Sequence, residues 1–405
     1  MKPRDVAVEN KKNLTAFTQQ LIQEAVDREA TGIHLEPLEN EKGWLRYRID
    51  GSLRDQTFPD DMSYTEVIDH LKSMACLDME VRNLPQDGRI VLEYEGRKID
   101  LRVSVVPTQL GERMVISVLD ASRVVLDLEQ VVPEEDKLAT VRELCGLSHG
   151  MVIVNGPVGS GKTTLLYAML NEIRRPELCL FSVEDPVEYR LEGIAQVPVR
   201  PQYGVTFARV TRAVLRQDPD VISIAEIRDT ETVQVALHAA LTGRLVLSSL
   251  HADHSASAVQ RLLDIGAPGF LVNTALAAVI SQRLVRVLCP ECKEPVEVQE
   301  ADLPASARDK VVGHADAEFC RPVGCPACGE AGFRGRRAIH EILRVDDSVR
   351  RAIASEGGEA AVQMAAREGG MRTLLEDGIR LAAAGVTSLA EVFRVMPVTD
   401  SGELR

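Results

Sequence analysis

Within the nine residues Gly156, Pro157, Val158, Gly159, Ser160, Gly161, Lys162, Thr163 and Thr164, the first eight fit the pattern G-x-x-x-x-G-K-[ST]. Glycines at this spacing let backbone N–H groups wrap phosphates at a helix N-terminus. Lys162 would then reach the β and γ phosphates of a nucleoside triphosphate, and Thr163 a Mg²⁺ ion. An apolar "MVIVN" precedes the loop and an amphipathic "TTLLYAMLNEI" follows it, as a strand and a helix must if the loop is to be held between them.

Two carboxylates and a histidine accompany the loop. The stretch "LRQDPDVISIAEIRD" delivers Glu226 at the end of an apolar run, where a carboxylate would orient Mg²⁺ or an attacking water. Glu184, in "VEDPVEY", is a second candidate base, although carboxylates at strand ends also serve as helix caps and ion-pair partners. His251, in "SSLHADHSA", is a candidate sensor of the γ phosphate, with a structural role as the alternative. Cys289 and Cys292 ("CPEC") and Cys325 and Cys328 ("CPAC") form two C-x-x-C knuckles. They lie about thirty residues apart, somewhat longer than the common spacing, and four thiolates suit a closed, structural zinc site. A redox pair is the other chemistry open to them, and Cys320 is a fifth thiol that competes as a ligand.

These groups need elements to carry them. The runs "MVIVN", "LCLFSV", "VISIA" and "RLVLSSL" are short, apolar and separated by helical stretches, the pattern of parallel strands with helical crossovers. Each leads at its carboxyl end into the glycine loop, Glu184, Glu226 or His251, and ligands of open parallel sheets bind outside the carboxyl ends of the strands. Upstream, the helical "LTAFTQQLIQEAVD" is followed by alternating stretches such as "GWLRYRIDG" and "RIVLEYEGRKIDLRVSVV", a small α+β unit. The expected organisation is an α+β domain over 1–120, a linker over 121–136 that adds no core, and an α/β nucleotide domain over 137–405. Within the last, 285–342 is the expected zinc subdomain and 343–396 a C-terminal helical region.

Composition narrows the function classes. The chain has 405 residues, 45% of them hydrophobic, with a net charge of −14. That acidity works against nonspecific binding to a phosphate backbone, so no nucleic-acid partner is expected. No apolar run approaches membrane-spanning length and the start is polar, so the expected location is the cytoplasm. Of the eight cysteines, Cys76, Cys145 and Cys179 stand alone, a pattern suggesting metal binding rather than disulfides in a reducing compartment.

Nearly the whole chain resembles the secretion-superfamily ATPases of type II secretion and type IV pilus assembly. The resemblance rests on "TGIHLEPLE", "RYRIDG", "PQDGRI" and "DLRVSVVPTQLGER", then the Walker A loop, "VEDPVEY", "RQDPDVISIAEIRD" and "TGRLVLSSLHADHSASAVQRLLDIG". The knuckles with "GFRGRRAIHEIL" look like the zinc subdomain of assembly motors, which retraction motors lack, and "GMRTLLEDGIRLAAAGVTSLAEVFRV" is similar to the family's C-terminal helices. The resemblance implies a RecA-like ATPase acting as a homohexamer, with nucleotide between the domains of neighbouring subunits. It also implies an inner-membrane platform protein as partner and ATP, Mg²⁺ and zinc as bound groups. Arg102 matches the position from which the family sends an arginine toward the γ phosphate.

Three positions depart from the family pattern. Ser117 stands where a second arginine is common, Ala225 replaces the glycine before Glu226, and Arg244 replaces the histidine of "TGH". Loss of the second arginine would slow hydrolysis or pass its task to Arg113. The chain also begins near the family's second N-terminal domain, so the extra leading domain of many assembly motors is expected to be missing. A retraction or competence motor, a DNA-translocating ATPase and a non-hydrolysing scaffold are the competing readings.

Overall fold

The computed structural model describes residues 3–120, 122, 125–299, 303–313, 317–355 and 357–396. The chain forms two compact units, Met1–Val124 and Val125–Arg405.

The first unit runs α1 (Pro3–Asp27), β1 (Gly32–Pro37), β2 (Gly43–Ile49), β3 (Ser52–Gln56), α2 (Tyr64–Met74), β4 (Gln86–Tyr94), β5 (Arg97–Thr108) and β6 (Gly111–Asp120). Its strands pair antiparallel in the order β3-β2-β1-β6-β5-β4. Alternation sends Ile33, Tyr47, Leu101 and Ile116 to one face, where they pack with Leu21 and Ile22 of α1 and Ile68 and Leu71 of α2. The opposite face carries several arginines, among them Arg48, Arg89, Arg102 and Arg113. One cross-strand row reads Arg48, Gly32, Ser117, Arg102, Arg89.

The second unit opens with α3 (Leu128–Val131) and α4 (Glu135–Cys145). Its central part comprises β7 (Gly150–Asn155), α5 (Lys162–Ile173), β8 (Leu180–Glu184), β9 (Ala195–Pro198), α6 (Phe207–Val214), β10 (Val221–Ile224), α7 (Thr230–Leu241), β11 (Leu245–Leu250), α8 (Ser255–Asp264) and α9 (Gly269–Ala275). It continues with β12 (Leu276–Leu288), β13 (Glu294–Pro295), α10 (Ala305–Val312), β14 (Cys320–Arg321) and β15 (Phe333–Arg344). Helices α11 (Asp347–Ala354), α12 (Gly358–Glu368), α13 (Leu374–Ala383) and α14 (Leu389–Val395) close it. The main sheet is ordered β15-β12-β7-β11-β10-β8-β9, parallel throughout except for the β12–β15 pair. Every residue of β7, β10 and β11 is buried, as expected of parallel strands covered on both faces.

The stretch expected to be a coreless linker behaves differently. Asp127 caps α3 by accepting the Glu129 N–H, and Leu128 and Val132, four residues apart on one helical face, are buried in the cluster that includes Leu165 and Leu166 of α5. The charged and proline-containing sequence around them masked this i, i+4 pair. Among the described residues, no helix is long and apolar enough to cross a membrane.

Candidate nucleotide site and cysteine cluster

Strand β7 ends at Asn155 and the backbone turns at once into glycine-only territory. Gly156, Gly159 and Gly161 have φ of 152°, 78° and 87°. At two of them space is also decisive: a Cβ on Gly156 would lie 2.5 Å from Gln282 O, and one on Gly161 2.7 Å from Gln282 Nε2. Gly161 is the N-cap of α5, so the loop delivers its amides to a helix N-terminus. Val158 points outward and Ser160 is buried.

Lys162, the first residue of α5, donates Nζ to Gly156 O at 2.7 Å and Pro157 O at 2.9 Å, and lies 3.2 Å from His251 Nδ1. Burial pushes its ammonium down to about 8, with Glu226 opposing the shift and Arg283 adding to it. His251 follows β11 directly. Its Nε2 lies 3.2 Å from Glu226 Oε1, so the ring bridges the carboxylate beyond β10 and the lysine beyond β7. The same Nδ1 lies 3.0 Å from Gly156 O, so the ring touches the loop backbone, the lysine and the carboxylate at once. Glu226 also pairs with Arg228 at 2.7 Å. Lys162, His251 and Glu226 thus form one contiguous group at the carboxyl ends of three parallel strands. Thr163 donates to Glu188 Oε1 at 3.3 Å, which places a carboxylate of "VEDPVEY" beside the candidate Mg²⁺ hydroxyl.

Glu184 has a different set of partners. Its buried carboxylate accepts from Tyr167, Ser182 and Gln196, none of them a member of the Lys162 group. Ala225 is accommodated beside Glu226, its carbonyl accepting from Ser249 Oγ at 2.7 Å. Arg244 precedes β11 while His251 follows it, so the six-residue strand separates them by roughly 20 Å.

In the first unit, Arg102 and Ser117 are direct cross-strand partners on the arginine-bearing face. Arg113 occupies the same face of β6 four residues before Ser117, roughly 13 Å along the strand. It pairs with Glu36 at 3.2 Å, and Arg46 shares that carboxylate.

The knuckles close on one another where β12 ends and shortly before β15 begins. The sulfurs of Cys289, Cys292, Cys325 and Cys328 all lie within 4.8 Å of one another, with separations of 3.7, 3.8 and 3.9 Å for three pairs. Four sulfurs about 2.3 Å from a tetrahedral zinc would stand about 3.8 Å apart. Amides of Gly324 and Gly332 also donate to Cys292 and Cys328 sulfurs, as they do to thiolates. Cys320 is outside this group, buried with Leu288 and Phe333.

Sequence reasoning missed three groups in this region: Glu188, Gln282 and Asn155. The Asn155 side chain ties β7 to His254 O, Ser281 and Ala252 N. Glu188 lay inside a quoted motif and Asn155 is the polar end of an otherwise apolar strand, whereas Gln282 stands among Ser281, Arg283 and Arg286 on β12 and carried no such signal.

Residues 7–394 match the model of the Type II/IV secretion system protein family. The chain is 42% identical over 375 residues to type II secretion system protein E of Aeromonas hydrophila, covering 93% of this chain and 74% of that one. It is 44% identical to the type II secretion system protein HxcR of Pseudomonas aeruginosa, covering 93% and 76%. Against the type II secretion system ATPase E of Vibrio cholerae the identity is 41%, covering 93% and 74%. Among solved structures, the pilus retraction motor PilT with bound ADP superposes with a TM-score of 0.63 at 24% identity, covering 93% of this chain and 96% of PilT. The Legionella pneumophila ATPase DotB superposes at 0.68 with 20% identity, covering 93% and 94%, and both likenesses speak for the fold alone. With the family model spanning nearly the whole chain and relatives above 40% identity, the chain belongs to the Type II/IV secretion system protein family.

Proposed function

We propose that this chain is the cytoplasmic, homohexameric motor of a pseudopilus or pilus assembly machine, with a RecA-like core and a zinc-bearing subdomain. It is a secretion-system ATPase. The observation that carries the chemistry is the convergence of Lys162, His251 and Glu226 at the ends of β7, β11 and β10. The loop amides and Lys162 hold the phosphates, Glu226 orients the attacking water, and His251 links the two so that a change at the γ phosphate is felt at the carboxylate. Thr163 would hold Mg²⁺, which when bound neutralises charge on the phosphate oxygens. Arg102 of a neighbouring subunit completes the site, and the released energy moves one domain against the other. An inner-membrane platform protein receives that motion, and DNA is not a partner. The test is ATP turnover by the full chain alone, with DNA, and with membranes bearing the platform protein. Stimulation by those membranes and indifference to DNA support the reading; stimulation by DNA alone contradicts it.

Within this reading Glu184 positions rather than catalyses, because its donors include Tyr167 of α5, the helix that the loop opens. Glu184→Gln should cost less than about tenfold in kcat, against about a hundredfold or more for Glu226→Gln. Equal losses in the two variants would return Glu184 to the reacting centre.

Cys289, Cys292, Cys325 and Cys328 hold one structural zinc ion per chain. Metal analysis of freshly purified, reduced protein should find one equivalent in the wild type and none in Cys289→Ser/Cys325→Ser. Mg-ADP binding should persist in that variant, since the cluster shares no residue with the loop. Zinc-free wild-type protein, purified without chelator, would remove the claim.

A further inference from the structure

The carbonyl of Ser160 lies inside the phosphate loop but is held from outside it. Gln282, on β12 and 1% exposed, donates Nε2 to Ser160 O at 2.6 Å. Its Oε1 lies 3.0 Å from Nε2 of His340, on β15 and also 1% exposed. With the amide nitrogen committed to the carbonyl, only an Nε2–H imidazole satisfies that oxygen. Among the described residues His340 Nδ1 has no hydrogen-bond partner, which leaves it the lone-pair nitrogen of this tautomer. Burial first, then Lys137, pushes the imidazole down to about 4 against the opposing Asp377 and Glu134, with Arg337 adding to the fall, so the ring stays neutral. The backbone N–H of His340 is itself fixed, donating to Asp377 Oδ2 at 2.9 Å.

This contact has a directional consequence. Ser160 C=O and Gly161 N–H belong to one planar trans peptide and point in opposite directions. Anchoring the carbonyl on β12 turns the Gly161 N–H away from β12, toward the open side of the loop. The fit is mutual, because any side chain at 161 would collide with the Gln282 amide.

We propose that Gln282 and His340 are positioning residues of the nucleotide site: the His340 Nε2–H orients the Gln282 amide, which fixes the Ser160–Gly161 peptide so that its N–H is presented to a phosphate. The proposal rests on the reading of residues 156–164 as a nucleotide loop. Neither residue touches the nucleotide in this scheme, and both act through the peptide.

Calorimetric titration of Mg-ADP into the full-length chain tests it, with wild type, Gln282→Leu, His340→Leu, the double variant and His340→Gln. Each leucine variant should bind about tenfold more weakly, the scale of one lost hydrogen bond. The double variant should bind no more weakly than Gln282→Leu alone, since both changes break one relay. In His340→Gln the side-chain amide restores an N–H donor, and affinity should return to within about threefold of wild type. Should a leucine variant fail to fold, Gln282→Glu carries the same expectation: it keeps the shape and the acceptor but has no donor for Ser160. Wild-type affinity in the Gln282 and His340 variants, or losses that multiply in the double variant, would overturn the relay while leaving the loop assignment standing. Wild-type protein that binds no nucleotide would overturn both.

Discussion

Replacing Lys162 by alanine is expected to lower Mg²⁺-dependent ATP hydrolysis by at least about a hundredfold, and Glu226→Gln to do the same. In phosphoryl transfer the protein contributes mostly position and charge, and these two residues supply one of each kind. Lys162 is already partly desolvated, with its ammonium among loop carbonyls, so its charge acts on a phosphate with little screening. Glu226→Gln keeps the shape and much of the hydrogen bonding to His251 and Arg228 but removes the negative charge that orients a water. The two variants should therefore separate: the alanine weakens nucleotide binding as well as turnover, whereas the glutamine binds Mg-ADP normally and hydrolyses slowly. Phosphate release and Mg-ADP affinity measured side by side distinguish them. Unchanged turnover in Lys162→Ala would remove the nucleotide loop from the mechanism.

Arg102→Ala should abolish hydrolysis and leave Mg-ADP binding close to wild type. A guanidinium approaching from a second subunit matters most when charge develops on the transferring phosphoryl group, so its loss appears in kcat rather than in ground-state affinity. The sheet makes the prediction specific. Arg102 and Ser117 are cross-strand partners, so an arginine introduced by Ser117→Arg would stand beside Arg102 on the same face. Arg113, four residues along β6 and paired with Glu36, is not equivalent in place. Higher turnover in Ser117→Arg would mark the natural serine as a brake on the motor. No change there, together with an inactive Arg113→Ala, would mean that Arg113 has taken the second arginine's task.

The legible parts of the molecule are those whose physics is local. The loop could be read because the phosphate cradle demands glycines at fixed offsets, and the structure holds Gly156, Gly159 and Gly161 at positive φ. The knuckles could be read because two residues between cysteines set the reach of a metal chelate, and the four sulfurs do converge. Strands β7, β10 and β11 were legible as short β-branched runs with chemistry at their ends. What stayed hidden depends on partners distant in sequence. Glu184 ends its strand as Glu226 and His251 follow theirs, and only Tyr167 and Gln196, from other elements, reveal which groups engage its carboxylate. Gln282 and His340 are separated by 58 residues, and their meaning exists only once β12 and β15 pair. The core contribution of Leu128 and Val132 was obscured by the charges around them.

The measurement that bears most directly on a shared site mixes two inactive proteins, Arg102→Ala and Lys162→Ala, in equal amounts under conditions that allow subunits to exchange. An interface formed by the intact loop of one and the intact arginine of the other is complete, and random assembly of a ring makes about a quarter of all interfaces so. ATP hydrolysis should reappear at up to about a quarter of the wild-type rate, while each variant alone stays inactive. No recovery in rings shown to contain both variants, or full wild-type activity in a strictly monomeric preparation, would contradict a nucleotide site completed by a neighbouring subunit.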